Sequence, residues 1–178
     1  MKISMVIPTY TLNEDLEDMA INAMLTYRDE VDELIVCEDG GNYSDEMRKI
    51  ADIYIYSKKN VGFTKNINRG WKIASGDYTM LVNSDTLLFE GKLKDLCIPG
   101  RVTSPRVSGY ITEKLFGGFF CVPKEIQEKY GYLDESFPMW GSDSDYEKKI
   151  LDIYQTVSSV DVYHKGGATT NAAGIPHP

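Results

Sequence analysis

The sequence predicts an α/β domain whose first half is Rossmann-like, and three observations carry that prediction. An apolar strand, residues 78–82, ends on Asn83-Ser84-Asp85 and so delivers a carboxylate to its C-terminal edge, where open α/β sheets bind ligands. The chain opens on a second apolar strand that closes with Met5-Val-Ile-Pro-Thr-Tyr10. Between the two, strand and helix patterns alternate, which implies right-handed parallel units.

In chain order, residues 2–8 read as the first strand, followed by a polar turn. A helix comes next, with Leu16, Ala20, Ala23, Met24 and Tyr27 at helical spacing. Residues 31–37 form the second strand. The turn-rich Asp39-Gly-Gly-Asn-Tyr-Ser44 then leads into a short helix that Ser44 caps, with Met47 on its buried side. A shorter third strand spans 53–56. In the next helix Phe63, Ile67, Trp71 and Ala74 share an arc of about 80°, which makes them the core stripe and leaves Asn66 and Arg69 projecting elsewhere.

Beyond Asp85 the regularity fades. Residues 91–105, punctuated by Pro99-Gly100 and Pro105, accommodate a short helix and a short strand. A strand returns over 116–122, where Gly117-Gly118 permit close backbone approach. Pro123 opens a helix that Gly131 closes. Ser144-Asp-Tyr-Glu147 has capping-box spacing and starts another helix, running to about residue 154. A last strand covers 157–162. One domain is therefore expected over 1–165, with 166–178 an irregular tail, and there is no internal repeat.

A chain of 178 residues is long enough to bury roughly 70% of the surface its unfolded form exposes. Hydrophobic residues make up 42% and charged residues 26%, a globular balance that argues against wholesale disorder. Cys37, Cys97 and Cys121 are odd in number, widely spaced and set in or beside apolar segments, which argues against a disulfide framework or a zinc knuckle. A reducing, cytoplasmic location is the expectation. The N-terminus lacks a cleavable apolar signal and no apolar run approaches the ~20 residues of a membrane span. The net charge of -8 opposes the phosphate contacts that a nucleic-acid partner requires.

Several polar residues can carry chemistry, each with a plainer alternative. Asp85, at the end of a buried strand, suits magnesium or manganese as a hard oxygen ligand, and the small Ser84 leaves room for phosphate; a solvated strand-to-loop aspartate is the alternative. Asp143 follows Met139-Trp140-Gly141 at a helix entrance, where a general base would be held firmly, although Asp143 or Asp145 could equally cap the helix. His164 is a further nitrogen ligand or a structural imidazole. Asp39, before two glycines, can accept the imide N–H of uracil or thymine, or simply form a turn. Lys65, Asn66 and Arg69 either meet phosphate or line a solvated helix face.

Six segments in order resemble the inverting GT-A glycosyltransferases, most closely family 2. They are Val6-Ile-Pro-Thr-Tyr10, Ile35-Val-Cys-Glu-Asp-Gly40, Asn60-x-Gly62 with Asn68-x-Gly70, Gly76-Asp-Tyr78, Asn83-Ser-Asp85 and Trp140-Gly-Ser-Asp143. The resemblance implies a GT-A fold with a mixed central sheet flanked by helices. It implies metal-assisted, inverting transfer of a hexosyl or deoxyhexosyl group from a UDP- or dTDP-sugar to the hydroxyl of a glycan or small molecule. Thr9, Tyr10, Asp39, Asn60, Gly62, Lys65, Asn83, Ser84 and Gly118 would then contact the donor. Asp85 and His164 would hold Mn2+ or Mg2+, Asp143 would be the base, and Trp140 would stand on the acceptor side.

Two positions depart from the family pattern: Asn83 replaces the first aspartate of D-x-D, and Ser142 replaces the acidic residue before the base. A nucleotide-sugar-binding module without catalysis is one alternative. A nucleotidyltransferase is another, though it calls for a basic, glycine-rich loop after the first strand, and Pro8-Thr-Tyr-Thr-Leu-Asn13 is not one.

Overall fold

The computed structural model describes residues 1–174. Strand β1 (Ile3–Thr9) is buried along its whole length. Helix α1 (Glu14–Tyr27) begins where the Asn13 side chain accepts from Leu16 N, and three acidic residues in its first turn complement the helix dipole. Strand β2 (Glu33–Asp39) leads to α2 (Asp45–Ile50), capped by Ser44 as the sequence predicts, with Met47 buried. Then follow β3 (Ile53–Ser57), α3 (Phe63–Ile73) and β4 (Tyr78–Val82).

The second half comprises β5 (Thr86–Glu90), a 3-10 turn (Leu93–Leu96), β6 (Val102–Val107) and β7 (Phe119–Pro123). It continues with α4 (Lys124–Tyr130), α5 (Ser142–Ile150), β8 (Tyr154–His164) and the short α6 (Ala168–Ala172).

All eight strands form one mixed sheet in the order β3-β2-β1-β4-β7-β6-β8-β5. The first four are parallel, β7 is antiparallel to both β4 and β6, β6 and β8 are parallel, and β5 closes the edge antiparallel to β8. From β1 the chain moves outward to β2 and β3, then crosses back to β4 on the other side. The C-terminal ends of β1 and β4 therefore flank a topological switch point, where such sheets bind ligands.

Period-2 alternation divides the apolar residues between two layers. Met5, Ile7, Leu34, Val36, Met80 and Phe119 face α1 and α2, packing with Ala20, Met24, Tyr27 and Met47. Val6, Ile35, Cys37, Leu81, Phe120 and Val122 face the other way, packing with Ile67, Trp71, Ile126 and Tyr146. Gly70 is what lets α3 lie this close to the sheet, because a Cβ there would run into Val6 and Cys37.

Five features differ from the sequence reading. Strand β5 was not anticipated; it pairs with a single neighbour and leaves Phe89 79% exposed, so its apolar run carries little of a core pattern. Helix α5 starts two residues before Ser144, which is exposed, and Gly141 in the left-handed region (φ 87°) provides the turn into it. The same helix stops at Ile150, and β8 begins at Tyr154 after a 3-10 turn (Leu151–Ile153). Asn66 is buried against the sheet, because its amide donates to the Cys37 carbonyl at 2.6 Å and so satisfies a polar group on an inward face. Part of the stretch expected to be irregular forms α6, while residues 175–178 lie outside the described residues.

Candidate active site

A cleft of about 430 Å³ opens over the C-terminal ends of β1 and β4. That volume is within the range of small-molecule sites. It brings together Thr9, Tyr10 and Asn60 with Asn83, Ser84, Asp85 and His164. Gly118, Trp140 and Asp143 also line it. Of the residues that the resemblance assigns to the donor, Asp39, Gly62 and Lys65 lie outside the lining, the last of them exposed, and so does Arg69.

The β1 end of the cleft is fixed by Glu38, to which the sequence reading gave no role. This fully buried carboxylate accepts from the hydroxyls of Thr9 and Thr11, both at 2.8 Å, and from Gly41 N at 2.9 Å. Thr11 N completes the set at 3.2 Å. Tyr10 is thereby held between two anchored threonines. Only a count of its hydrogen-bond partners reveals such a residue, and no sequence pattern shows that.

Asp39, next in the chain, accepts from Val61 N at 2.8 Å and from Gly62 N at 3.0 Å, and so shapes the loop that enters α3. Burial pushes its carboxyl above the ordinary value, against the pull of those two amides and of Arg69. Asn60 and Phe63, on either side of this loop, reach the cleft itself.

After β4 the chain turns sharply. Asn83 N donates to the Gly118 carbonyl at 2.9 Å, and the Asn83 carbonyl accepts from the Thr86 hydroxyl at 2.8 Å. The buried Tyr27 hydroxyl in turn donates to Thr86 Oγ1 at 3.0 Å. Asn83 Oδ1 is buried without a hydrogen-bond partner, an acceptor open to a ligand.

The turn aims Asp85 at His164. Thr86 and His164 are paired in the β5–β8 register, and Lys165 N donates to the Asp85 carbonyl at 3.0 Å. Asp85 Oδ1 then lies 3.2 Å from His164 Nε2, with the Phe116 ring packed edge-on against the imidazole. One carboxylate oxygen and one imidazole nitrogen form a donor set suited to manganese or magnesium. Among the described residues no third histidine, cysteine or acidic side chain joins them in a cluster. Such a pair would leave most of a cation's coordination sphere to other oxygens.

Asp143 occupies the first turn of α5 and packs directly over Gly117, where a Cβ would collide with its carboxylate. Glycine is needed there for that close approach. Asp145 is paired with Lys149 at 3.0 Å and does not line the cleft, which leaves Asp143 as the acid that α5 presents to it. Trp140, 40% exposed, forms part of the same wall.

The sheet order and the cleft at its switch point define a GT-A glycosyltransferase fold. Residues 4–97, just over half of the chain, match the sequence model of Glycosyl transferase family 2, and the chain belongs to that family. Solved structures share the fold at low identity. TarS of S. aureus, in complex with UDP, superposes with a TM-score of 0.71 at 17% identity, over 92% of this chain and 60% of that one. The mannosyltransferase PcManGT of Pyrobaculum calidifontis, in complex with GDP-Man and Mn2+, gives 0.68 at 16% identity over 95% and 59%.

Glucosyl-3-phosphoglycerate synthase of Mycobacterium tuberculosis, in complex with Mn2+, UDP and glucosyl-3-phosphoglycerate, gives 0.64 at 17% identity over 98% and 75%. The chain thus spans about 60% of the length of the first two. Comparison with curated proteins gives no match. Among the described residues no helix is long and apolar enough to cross a membrane.

Proposed function

We propose that the chain transfers a hexosyl or deoxyhexosyl group, with inversion, from a nucleoside-diphosphate sugar to the hydroxyl of a glycan or small molecule. The observation that carries this reading is the Asp85–His164 pair, 3.2 Å apart beyond the end of β4, with Asp143 lining the same cleft. Asp85 and His164 would hold Mn2+ or Mg2+; the cation's chemistry is to neutralise charge gathering on the departing diphosphate. Similar folds are described with UDP and with GDP-Man and Mn2+, which supports a nucleotide donor and a divalent cation here.

In this reading Thr9, Tyr10 and Asn60 cradle the nucleoside, and Asp39, Gly62 and Lys65 act on it through the loop entering α3. Asn83 Oδ1 and Ser84 hydrogen-bond the donor beside the cation, and Gly118 keeps the floor low. Asp143 accepts the acceptor's hydroxyl proton as the oxygen attacks, a role typically worth 10² to 10⁴-fold. Trp140 offers the acceptor an apolar wall. A direct in-line attack assisted by one base accounts for the inversion. UDP- and dTDP-sugars are the favoured donors.

The test is a thermal-shift panel of UDP, dTDP, CDP and GDP and their sugars, with and without Mn2+, followed by assay of diphosphate release. Manganese-dependent stabilisation by UDP or dTDP, with turnover of the matching sugar, supports the proposal. Binding without turnover of any sugar would make the chain a binding module. Equal stabilisation by all four diphosphates, or a preference for GDP, would reject the donor assignment.

A further inference from the structure

We infer that the buried hydroxyls of Thr64 and Ser142 form a positioning latch that ties α3, on the donor side of the cleft, to the turn of α5 that carries Asp143. The inference rests on the reading of Asp143 as the base. Thr64 is the second residue of α3, between Phe63 and Asn66 along the cleft-lining side of that helix's first turns. Its Oγ1 lies 2.5 Å from the Phe137 carbonyl and 2.9 Å from Ser142 Oγ, and its backbone N–H donates to the Pro138 carbonyl at 3.2 Å. One residue thus grips both ends of the segment 137–142, which contains Trp140 and immediately precedes Asp143. Thr64 is 0% exposed and Ser142 2%, so neither hydroxyl has water to turn to.

The proton count gives the latch a direction. A threonine hydroxyl has one proton, and the Phe137 carbonyl can only accept. Thr64 is the donor in both contacts, so its one proton is shared between the Phe137 carbonyl and Ser142 Oγ.

Helix α5 starts without a side-chain cap of its own, since its N-cap, Gly141, has no side chain. The loop is also seated against the α3 entry, where a Cβ on Gly62 would come within 2.8 Å of the Pro138 carbonyl. Gly117 supports Asp143 from one side and Thr64 holds its turn from the other.

The experiment compares Thr64→Val, Thr64→Ser and Ser142→Ala with the parent chain. Three quantities are measured: affinity for UDP with Mn2+, release of UDP from UDP-glucose or UDP-galactose with water as acceptor, and hydrogen exchange of amides 137–146. Thr64→Val and Ser142→Ala are expected to lower turnover on the order of 10- to 100-fold, the cost of a small misplacement of a reacting group. They should leave UDP affinity within about twofold and accelerate exchange over 137–146 but not over 80–86; Thr64→Ser should restore all three.

Parent-like exchange over 137–146 in both Thr64→Val and Ser142→Ala would overturn the latch, whether or not either sugar is turned over. So would a parallel loss of UDP affinity and turnover, which marks a general structural role. Asp143→Asn separates the two claims. If that variant keeps full turnover, the assignment of the base fails; if it is inactive while Thr64→Val is fully active, the latch alone fails.

Discussion

Replacing Gly117 by alanine adds one methyl group directly beneath Asp143. The new carbon would sit 2.8 Å from the Asp143 carboxylate carbon and 2.9 Å from its Cβ, whereas ordinary contact begins at 3.4 Å. The backbone of Gly117 is not in the left-handed region, so alanine fits its conformation and the strain falls on Asp143. The side chain must retreat by the shortfall, and its leading oxygen by more.

A displacement approaching 1 Å at a reacting group typically costs about 10²-fold in rate, or about 2.7 kcal/mol of barrier. Donor affinity should be unchanged, because neither Asp85 nor His164 is touched. Stability should change little, since an alanine at a compatible position stabilises by about 0.4–1 kcal/mol and offsets some crowding. Steady-state assay of UDP release, with titration of UDP and Mn2+ on the same preparation, reads both quantities. Turnover within twofold of the parent would refute the reasoning, because it would mean that the position of Asp143 over Gly117 is immaterial to the chemistry.

Asp85→Ala should abolish the manganese-dependent part of UDP stabilisation, about 2.7 kcal/mol at 100 times the dissociation constant, while leaving metal-free stability intact; denaturant titrations with and without Mn2+ check this. An unchanged increment would remove Asp85 from the cation site. Glu33→Gln tests a pH dependence remote from the cleft. Burial alone would raise the Glu33 carboxyl, but bonds from Ser4 and Ser75, with Lys2 nearby, hold it below the ordinary value. Its contribution is therefore present above the unfolded pKa of about 4.3 and disappears as pH falls through the lower folded value. Urea midpoints of parent and variant should differ at pH 7 and converge in acid, and a constant gap would reject the shift.

What the sequence could convey depended on whether the signal was apolar or polar. The parallel half was legible because Val6, Ile35, Leu81 and their neighbours are buried on both faces and leave continuous apolar runs. Ser44 and Pro123–Gly131 marked their helices because capping and helix termination act locally. Strand β5 escaped because it depends on β8, far along the chain, and not on a pattern of its own.

The cleft's acids stood at strand and helix ends, and Asp85, Asp143 and His164 do line one cavity. Glu38 and Thr64 escaped notice and Asn66 was placed off the core face, since each is a polar residue whose place is justified only by partners distant in sequence. Asp39 was legible as the carboxylate ending a strand; that it spends two bonds on the next loop was not.

The register of β8 has a consequence for how the cleft comes into being. Two irregularities pin that strand, one against β6 between Pro105 and Arg106 and one against β5 between Leu88 and Glu90. A slip by a single residue would turn His164 to the opposite face of the sheet and away from Asp85. Nascent chains that have completed only the parallel half carry Asp85 but not its imidazole partner. Under the proposal that Asp85 and His164 hold the cation, cation affinity would therefore report on the arrival and correct seating of the last strand.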